Sequence, residues 1–347
     1  MRTIISFVAA ATMLAVSAAS AHAEVKVVTS IKPIHSLVAG VMKGVGTPGL
    51  IIEGSTSPHT FSMKPSHAAM LQKADVVFWV GPAIETFLVK PLETLTAKAT
   101  VVKLLETQGL TKLKVREGDG FEGHDDHGHG DDHGAHKDKD HGAHKEDAHK
   151  KKGHGDDHHD DHGKKREAAD HGDHEVDAHV WLDPMNAKVL VTAIKNALIK
   201  ADAANAAIYE RNAAAIAKRI DGLVAQATAD VTPIRGKGFL VFHDAYQYFE
   251  KRFGVKASGS ITVSPEVMPG AKRVGELRTK VKSLAVQCVF SEPQFKPKLV
   301  ATVIEGTPAR SGVLDPLGAS LKNGPDLYFE LIQNMAASLK GCLTKSG

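Results

Sequence analysis

Hydrophobic residues along the chain alternate between short continuous runs and longer runs with helical spacing. Continuous runs such as 75–81 (DVVFWVG) and 238–243 (GFLVFH) are typical of parallel strands that are buried on both faces. Runs with helical spacing separate them, so the pattern predicts two series of alternating strands and helices. We therefore expect an α/β fold with two βα lobes, each built on a mainly parallel sheet.

A long Ala-rich stretch separates the two series. Residues 201–231 contain no proline and Gly222 as their one glycine, and their apolar residues recur mostly at helical spacing. We expect one long rigid helix here that joins the lobes; an ordinary helix within one lobe is the alternative. The predicted organisation is a signal peptide over 1–23, an N-terminal lobe over 24–200, the linker helix over 201–231 and a C-terminal lobe over 232–347.

The first 23 residues have the features of a cleaved secretory signal. Arg2 supplies positive charge, an apolar segment follows, and Ala21-His22-Ala23 is a small-residue cleavage site. No later stretch has the roughly 18 uninterrupted apolar residues that a membrane-spanning helix needs. We therefore expect a soluble, exported protein that does not span the membrane.

The composition changes sharply between Phe121 and Glu175, where the chain becomes a low-complexity tract of His, Asp, Lys and Gly. The tract has almost no apolar side chain to bury, so we expect a disordered loop within the N-terminal lobe. Because neutral imidazole binds zinc and other transition metals, its closely spaced histidines predict several weak metal sites; a solvating acidic linker is the alternative. The 14 tract histidines, of 20 in the chain, are His124, His127, His129, His133, His136, His141, His144, His149, His154, His158, His159, His162, His171 and His174.

Two further features of composition narrow the possible functions. Basic residues outside the tract are scattered and aromatic residues are few, so nothing resembles a nucleic-acid-binding module. The chain has two cysteines, Cys288 and Cys342, and in an oxidising compartment one disulfide is favoured over two free thiols.

Outside the tract, a few histidines occupy positions at which an α/β fold binds ligands. His59 follows the second predicted strand, His243 ends the strand 238–243, and His179 opens the motif HVWLDP. Asp315 also ends an apolar, strand-like run. Because ligands bind at the carboxyl ends of parallel strands and zinc takes four imidazole or carboxylate ligands, we expect a zinc site in the cleft between the lobes, with Asp315 or water as the fourth ligand.

Other candidate residues receive different interpretations. His35 and His67 fall early in predicted helices, and we expect structural or surface roles for them. Glu292 also ends a strand and is kept as a reserve ligand. Asp183 can cap a helix that starts at Pro184, and it is one candidate for orienting a ligating imidazole.

Several motifs together resemble the ZnuA family, the zinc-binding subunits of high-affinity zinc ABC importers. The resemblance covers the whole mature chain and includes an internal His/Asp-rich loop and a C-terminal cysteine pair. The motifs are SPHTFSMKPS at 57–66, ADVVFWVGP at 74–82, HVWLDP at 179–184, FHDAY at 242–246, SEPQF at 291–295 and LDPLG at 314–318.

The resemblance implies a periplasmic zinc-binding protein that delivers its ion to a membrane permease driven by an ATPase. It implies two lobes joined by a rigid helix and one zinc on His59, His179 and His243; we expect a monomer. Manganese-binding relatives carry a carboxylate at the position of His243. The three imidazoles of this chain are a softer set of ligands, which favours zinc. Some zinc members place a Glu directly before the first histidine, where this chain has Pro58, which leaves the fourth ligand open between Asp315 and water.

Three other functions compete with zinc capture for transport. A binding protein for another divalent metal such as Mn²⁺ would have the same fold. A metal store or adhesin built around the tract would not need the three ordered histidines. An exported zinc hydrolase would also use three histidines and an open position, but the chain has no HExxH motif, so we expect no enzymatic activity and no catalytic residues.

Overall fold

A computed structural model of the chain describes residues 24–116, 176–262, 265 and 269–344. The described residues form two units, and each unit is assembled from separate segments of the chain. The first unit contains 24–110, 183–227 and 317–334; the second contains 111–116, 176–182, the described part of 228–316, and 335–344. The expected signal peptide and the expected disordered tract lie outside the described residues.

The first unit is built on a four-stranded parallel sheet. Its strands are β1 (Val27–Thr29), β2 (Gly49–Leu50), β3 (Val76–Trp79) and β4 (Thr100–Lys103), in the order β2-β1-β3-β4. The two central strands, β1 and β3, are fully buried and pair in parallel, with Val28 opposite Val77. Burial on both faces explains why these strands are continuous apolar runs.

Helices cover this sheet, and local sequence determines where they begin. They are α1 (Lys32–Val41), α2 (Pro65–Gln72), α3 (Val89–Leu95), α4 (Pro184–Ala201) and most of α5 (Ala206–Val231). α4 begins as its sequence predicts, because the Asp183 carboxylate accepts a hydrogen bond from the Met185 N–H at 2.8 Å and Pro184 occupies the first helical position. α1 and α4 pack against each other and against the strands.

The second unit repeats the same architecture. Its strands are β5 (Phe239–His243), β6 (Gly259–Thr262), β7 (Cys288–Ser291) and β8 (Arg310–Val313), all parallel in the order β6-β5-β7-β8. Its helices are α6 (Gln247–Phe253), α7 (Ala271–Ser283), α8 (Lys298–Ile304) and the C-terminal part of α9 (Leu327–Leu343). α6 is capped at its C-terminal end by Gly254, whose left-handed backbone (φ 70°) favours glycine.

Apolar residues from the strands and from the faces of α7 and α8 form the core of the second unit. The buried members of this core are Leu240, Phe242, Ile261, Leu277, Val281, Val286, Val289, Val300, Val303 and Ala309. The predicted disulfide is confirmed within this unit, where Cys288 of β7 is bonded to Cys342 of α9.

The expected fold class is confirmed: two α/β units with parallel sheets, joined by a long helix. The joining helix starts later than expected, because Asp202 leaves the helical conformation (φ −144°, ψ 74°) and separates α4 from α5. We expected 24–200 to form one lobe. In the structure, residues 111–116 and 176–182 of this range belong to the second unit. Among the described helices, none is long and apolar enough to cross a membrane.

Candidate metal centre

The carboxyl edge of the second sheet carries several of the predicted site residues. His243 is the last residue of β5, and Glu292 directly follows β7, which pairs with β5. Asp315 comes two residues after β8, on the far side of β7. Because parallel strands end at the same edge, the topology of the sheet brings His243 and Glu292 together.

His179 reaches this edge on a separate segment of the second unit. Val176 forms an antiparallel bridge with Lys114, and the next residue, Asp177, donates its N–H to the Leu113 carbonyl at 2.8 Å. A short 3-10 turn, Val180–Leu182, follows His179, and the buried Trp181 within it donates its indole N–H to the Pro316 carbonyl at 2.9 Å. These contacts fix the backbone on both sides of His179.

The two imidazoles of the second unit face each other through their Nε2 atoms. The Nε2 of His243 lies 3.4 Å from the Nε2 of His179. On the outer side of each ring, Nδ1 of His179 lies 2.8 Å from Oδ1 of Asp177, and Nδ1 of His243 lies 2.8 Å from Oε1 of Glu292. A carboxylate only accepts hydrogen bonds, so each Nδ1 carries the proton of the neutral ring and each Nε2 presents a lone pair.

The distance between the two Nε2 atoms fits a shared tetrahedral metal ion. Two imidazole nitrogens that bind one tetrahedral zinc at about 2.0–2.1 Å lie about 3.3 Å apart. The observed 3.4 Å matches this spacing. Two lone pairs that face each other at this distance repel unless a cation or a proton lies between them, so the pair is arranged to bind a cation.

The electrostatic surroundings favour positive charge at His243. Its side chain is buried, and burial lowers the pKa of the imidazole, but the negative charges of Glu292, Asp244 and Asp177 outweigh burial and raise the pKa above its ordinary value of 6.5. The same negative charges stabilise a bound cation. His179 is also largely buried, with 9% of its surface exposed.

The remaining predicted ligands, His59 and Asp315, lie in different units. Asp315 is half-buried in the second unit, where Oδ1 accepts a hydrogen bond from the Gln294 side-chain amide at 3.0 Å. His59 belongs to the first unit and lies in a 3-10 turn, Pro58–Thr60, with intermediate exposure.

Sequence reasoning did not find the two carboxylates that orient the histidines. Glu292 was expected as a reserve ligand, but it binds Nδ1 of His243. Asp183 was a candidate for orienting an imidazole; its Oδ1 caps α4, and the Nδ1 atoms of His179 and His243 contact other carboxylates. Asp177 was not considered, although its position two residues before His179 is a signal that could have identified it, since its Oδ1 also accepts the His179 backbone N–H at 3.0 Å.

The other two histidines in the part of the chain that the structure describes have structural contacts. Nε2 of the buried His35 lies 3.2 Å from the Pro48 carbonyl. His67 accepts the Lys64 backbone N–H on Nδ1 at 3.1 Å and so completes a capping box at the start of α2. The first residue of α2 is Pro65, and the residue that precedes it, Lys64, is the N-cap.

Comparison with known proteins gives consistent results. The family described as "ZnuA: Zinc-uptake complex component A periplasmic" matches residues 27–342. The high-affinity zinc uptake system protein ZnuA of Brucella suis biovar 1 (strain 1330) is 54% identical over 319 residues, which cover 92% of each chain. The protein of the same name from Yersinia pestis is 33% identical over 326 residues, again covering 92% of each chain.

Solved structures show the same fold. A crystal structure of ZnuA superposes with a TM-score of 0.70 at 19% identity and covers 93% of this chain and 100% of its own. The laminin-binding protein Lmb of Streptococcus agalactiae, described as a bifunctional protein with adhesin and metal-transporting activity, has a TM-score of 0.67 at 22% identity, covering 92% of this chain and 100% of its own.

Proposed function

The chain belongs to the ZnuA family of periplasmic zinc-uptake components, and from this premise we propose that it captures Zn²⁺ and delivers it to an ABC-type importer. Its partners are the membrane permease and the ATPase of that importer. Residues 1–23 direct its export to the periplasm and are removed. The mature protein works there as a monomer. The protein binds and releases an ion without catalysing a reaction.

The observation that carries this proposal is the convergence of two imidazole lone pairs in the second unit. Nε2 of His179 and Nε2 of His243 lie at the spacing of two zinc ligands, and each ring is held by a carboxylate at Nδ1. We assign His59 of the first unit as the third imidazole ligand, because the family resemblance includes its motif at 57–66. The fourth ligand is Asp315 or water.

The ligand types explain why zinc is the proposed cargo. Imidazole suits Zn²⁺, whereas carboxylate and water oxygens suit Mn²⁺. The nitrogen pair of His179 and His243, with their carboxylates turned to the outer ring nitrogens, therefore favours zinc. The relatives at 54% and 33% identity are named as zinc uptake proteins, which supports the same choice.

Substitution of the three histidines tests the proposed ligands. In a protein that lacks 121–175, His59→Ala, His179→Ala and His243→Ala should each weaken zinc binding by at least about tenfold, because each removes one bond from a site with few ligands. Lys114 and Val176 are paired, so residues 117–120 can close the shortened loop. Asp315→Ala should have a smaller effect if water replaces the carboxylate.

Calorimetric titration with zinc and with manganese provides the measurement. His67→Ala is the matched control, because it also removes an imidazole, but one that caps α2 and is not a proposed ligand. The control should bind zinc like the parent. Unchanged zinc affinity in His243→Ala, or tighter binding of manganese than of zinc by the parent, would contradict the proposed function.

A further inference from the structure

The two chain segments that flank the tract are fastened to the start of α6. The buried Tyr248 hydroxyl accepts a hydrogen bond from the Leu113 N–H at 3.0 Å and donates one to the Asp177 carbonyl at 2.6 Å. Leu113 belongs to the segment before the tract, and Asp177 to the segment after it. One hydroxyl group therefore joins both segments to the helix.

Gln247, which precedes Tyr248, makes a second pair of contacts with the same two segments. The side-chain amide of Gln247 donates to the Lys114 carbonyl at 3.3 Å and to Oδ2 of Asp177 at 3.2 Å. At the end of the first segment, Arg116 forms ion pairs with Asp244 and with Glu250. The beginning of α6 is thus connected to the flanking segments at several independent points.

These contacts converge on the residue that orients His179. Tyr248 holds the main chain of Asp177, and Gln247 holds one oxygen of its carboxylate. The other carboxylate oxygen, Oδ1, is thereby directed to the backbone N–H and the Nδ1 of His179. α6 begins four residues after His243, so the same part of the chain determines the positions of both imidazoles.

We propose that Gln247 and Tyr248 are positioning residues for metal binding, which fix Asp177 and, through it, hold Nε2 of His179 opposite Nε2 of His243. This inference rests on the proposed function. Neither side chain binds the ion. Tyr248 restricts the main chain of Asp177 and Gln247 restricts its carboxylate, and Asp177 in turn holds the ring of His179. Removal of either contact lets Asp177 turn and gives His179 access to the ring orientation or tautomer in which Nε2 carries the proton and cannot bind zinc.

The burial of Tyr248 makes its contribution difficult to replace. Tyr248 is 1% exposed and its contact with the Asp177 carbonyl is buried, so after loss of the hydroxyl bulk water does not replace the hydrogen bond to that carbonyl. Gln247 is half-buried, and solvent partly compensates for its loss. We therefore expect the larger effect from Tyr248→Phe.

The experiment compares Tyr248→Phe and Gln247→Ala in the full chain with two matched controls. Tyr209→Phe removes another buried tyrosine hydroxyl, which donates to Asp202 at 2.7 Å in the first unit. Gln287→Ala removes an exposed glutamine side chain beside β7. Zinc affinity is measured by competition with a chelator that binds zinc more tightly than the tract histidines do, and melting of the zinc-free protein reports stability.

A spectroscopic measurement separates positioning from general stability. At about pH 8, well above the ordinary histidine pKa of about 6.5, ¹⁵N NMR distinguishes the two neutral tautomers of an imidazole. The signal of His179 is assigned from a His179→Asn spectrum. The parent should show the Nδ1–H form, in keeping with the contact to Asp177.

The expected result is a roughly three- to tenfold loss of zinc affinity in Tyr248→Phe and a smaller loss in Gln247→Ala, because these residues lie one step further from the metal than Asp177. Both variants should show a fraction of the Nε2–H form of His179, and both controls should match the parent in affinity and tautomer. Unchanged affinity and tautomer in the two variants, or a loss of affinity as large in Tyr209→Phe, would overturn the inference. A parent protein that binds no zinc would instead contradict the proposed function.

Discussion

At the scale of single residues, the first unit contains a buried carboxyl group that plays no part in the proposed metal site. Glu85 is fully buried, and its Oε2 accepts hydrogen bonds from the N–H groups of Val80 and Gly81 at 2.8 and 2.9 Å. Burial raises the pKa of this carboxyl from 4.5 to about 7, although the two N–H groups favour the charged form. The group therefore changes its charge close to neutral pH.

This pKa predicts that Glu85 makes the protein less stable as the pH rises from about 4.5 to about 7. In that range the unfolded chain has lost the proton while the folded protein still binds it, so the free energy of unfolding falls with pH and the loss is complete above about 7. The shift corresponds to about 3 kcal/mol. In Glu85→Gln, the decrease in unfolding free energy between pH 5 and pH 8 should be smaller by that order, as measured by urea denaturation.

Glu93→Gln provides the control, because Glu93 is an exposed carboxylate of α3. The change in its free energy of unfolding with pH should match that of the parent. If Glu85→Gln and the parent lost the same free energy of unfolding between the two pH values, the raised pKa of Glu85 would be refuted.

Residue type and position at the end of a predicted strand were enough to predict the histidines of the site. They were not enough to predict the carboxylates that orient these histidines. His243 and Glu292 end or follow strands that are visible as apolar runs, so their proximity follows from the order of the parallel sheet. Asp177 could not be found in this way. Its position depends on contacts with Tyr248 and Gln247, which are 71 and 70 residues further along the chain, and no local pattern records such long-range hydrogen bonds.

At the scale of elements, the disulfide links a central strand of the second sheet to the last helix. Cys288 begins β7 and Cys342 lies near the end of α9, at a sequence separation of 54. Both cysteines are buried. Arg310, at the start of β8, donates a hydrogen bond to the Cys342 carbonyl. The end of α9 is therefore attached to β7 by the disulfide and to β8 by this hydrogen bond.

Reduction of this disulfide should lower the melting temperature of the protein. A cross-link across 54 residues reduces the entropy of the unfolded chain and stabilises the folded protein by up to about 4 kcal/mol. Thermal unfolding with and without a reductant measures the effect. The double variant Cys288→Ala/Cys342→Ala is the control and should melt at one temperature in both conditions; a parent whose melting is insensitive to full reduction would contradict a stabilising bond.

Elements with strong apolar patterns were predicted from sequence, and weakly patterned ones were not. β1, β3, β5 and β7 are the central strands of the two sheets and were expected from their continuous apolar runs. β4 and β6 lie at sheet edges and were missed. β4 is largely exposed. β6 is buried but contains Ile261 as its one large apolar residue, so neither strand shows the continuous apolar run by which a buried parallel strand is recognised in a sequence.

At the scale of the whole molecule, the chain combines two chemically different groups of histidines. The tract histidines are closely spaced among charged residues, and their interpretation rests on composition, since the tract lies outside the described residues. His179 and His243 have fixed partners and a fixed separation. The composition of the tract predicts unrestrained side chains, and a site with oriented ligands loses less entropy on binding than such a set, so we expect His179 and His243 to bind zinc more tightly than the tract does.

Removal of 121–175 should therefore abolish the weak sites and leave one tight zinc, and the two groups should respond differently to acid. Only neutral histidine binds zinc, so with an ordinary pKa of about 6.5 the tract should release its zinc below about pH 6. At the tight site the bound ion opposes protonation of its imidazoles. Release there should occur at lower pH and more steeply, with uptake of up to about three protons per ion.

Zinc titrations of the full and shortened chains at several pH values, with proton uptake measured in parallel, distinguish the two groups. The raised pKa of His243 in the zinc-free protein favours uptake of a proton by that imidazole when the ion leaves. If both chains released zinc over the same pH range and with the same number of protons, the tract and the site on His179 and His243 would not be separate classes of site. Loss of the tight zinc when the tract is removed would place that site in the tract rather than on His179 and His243.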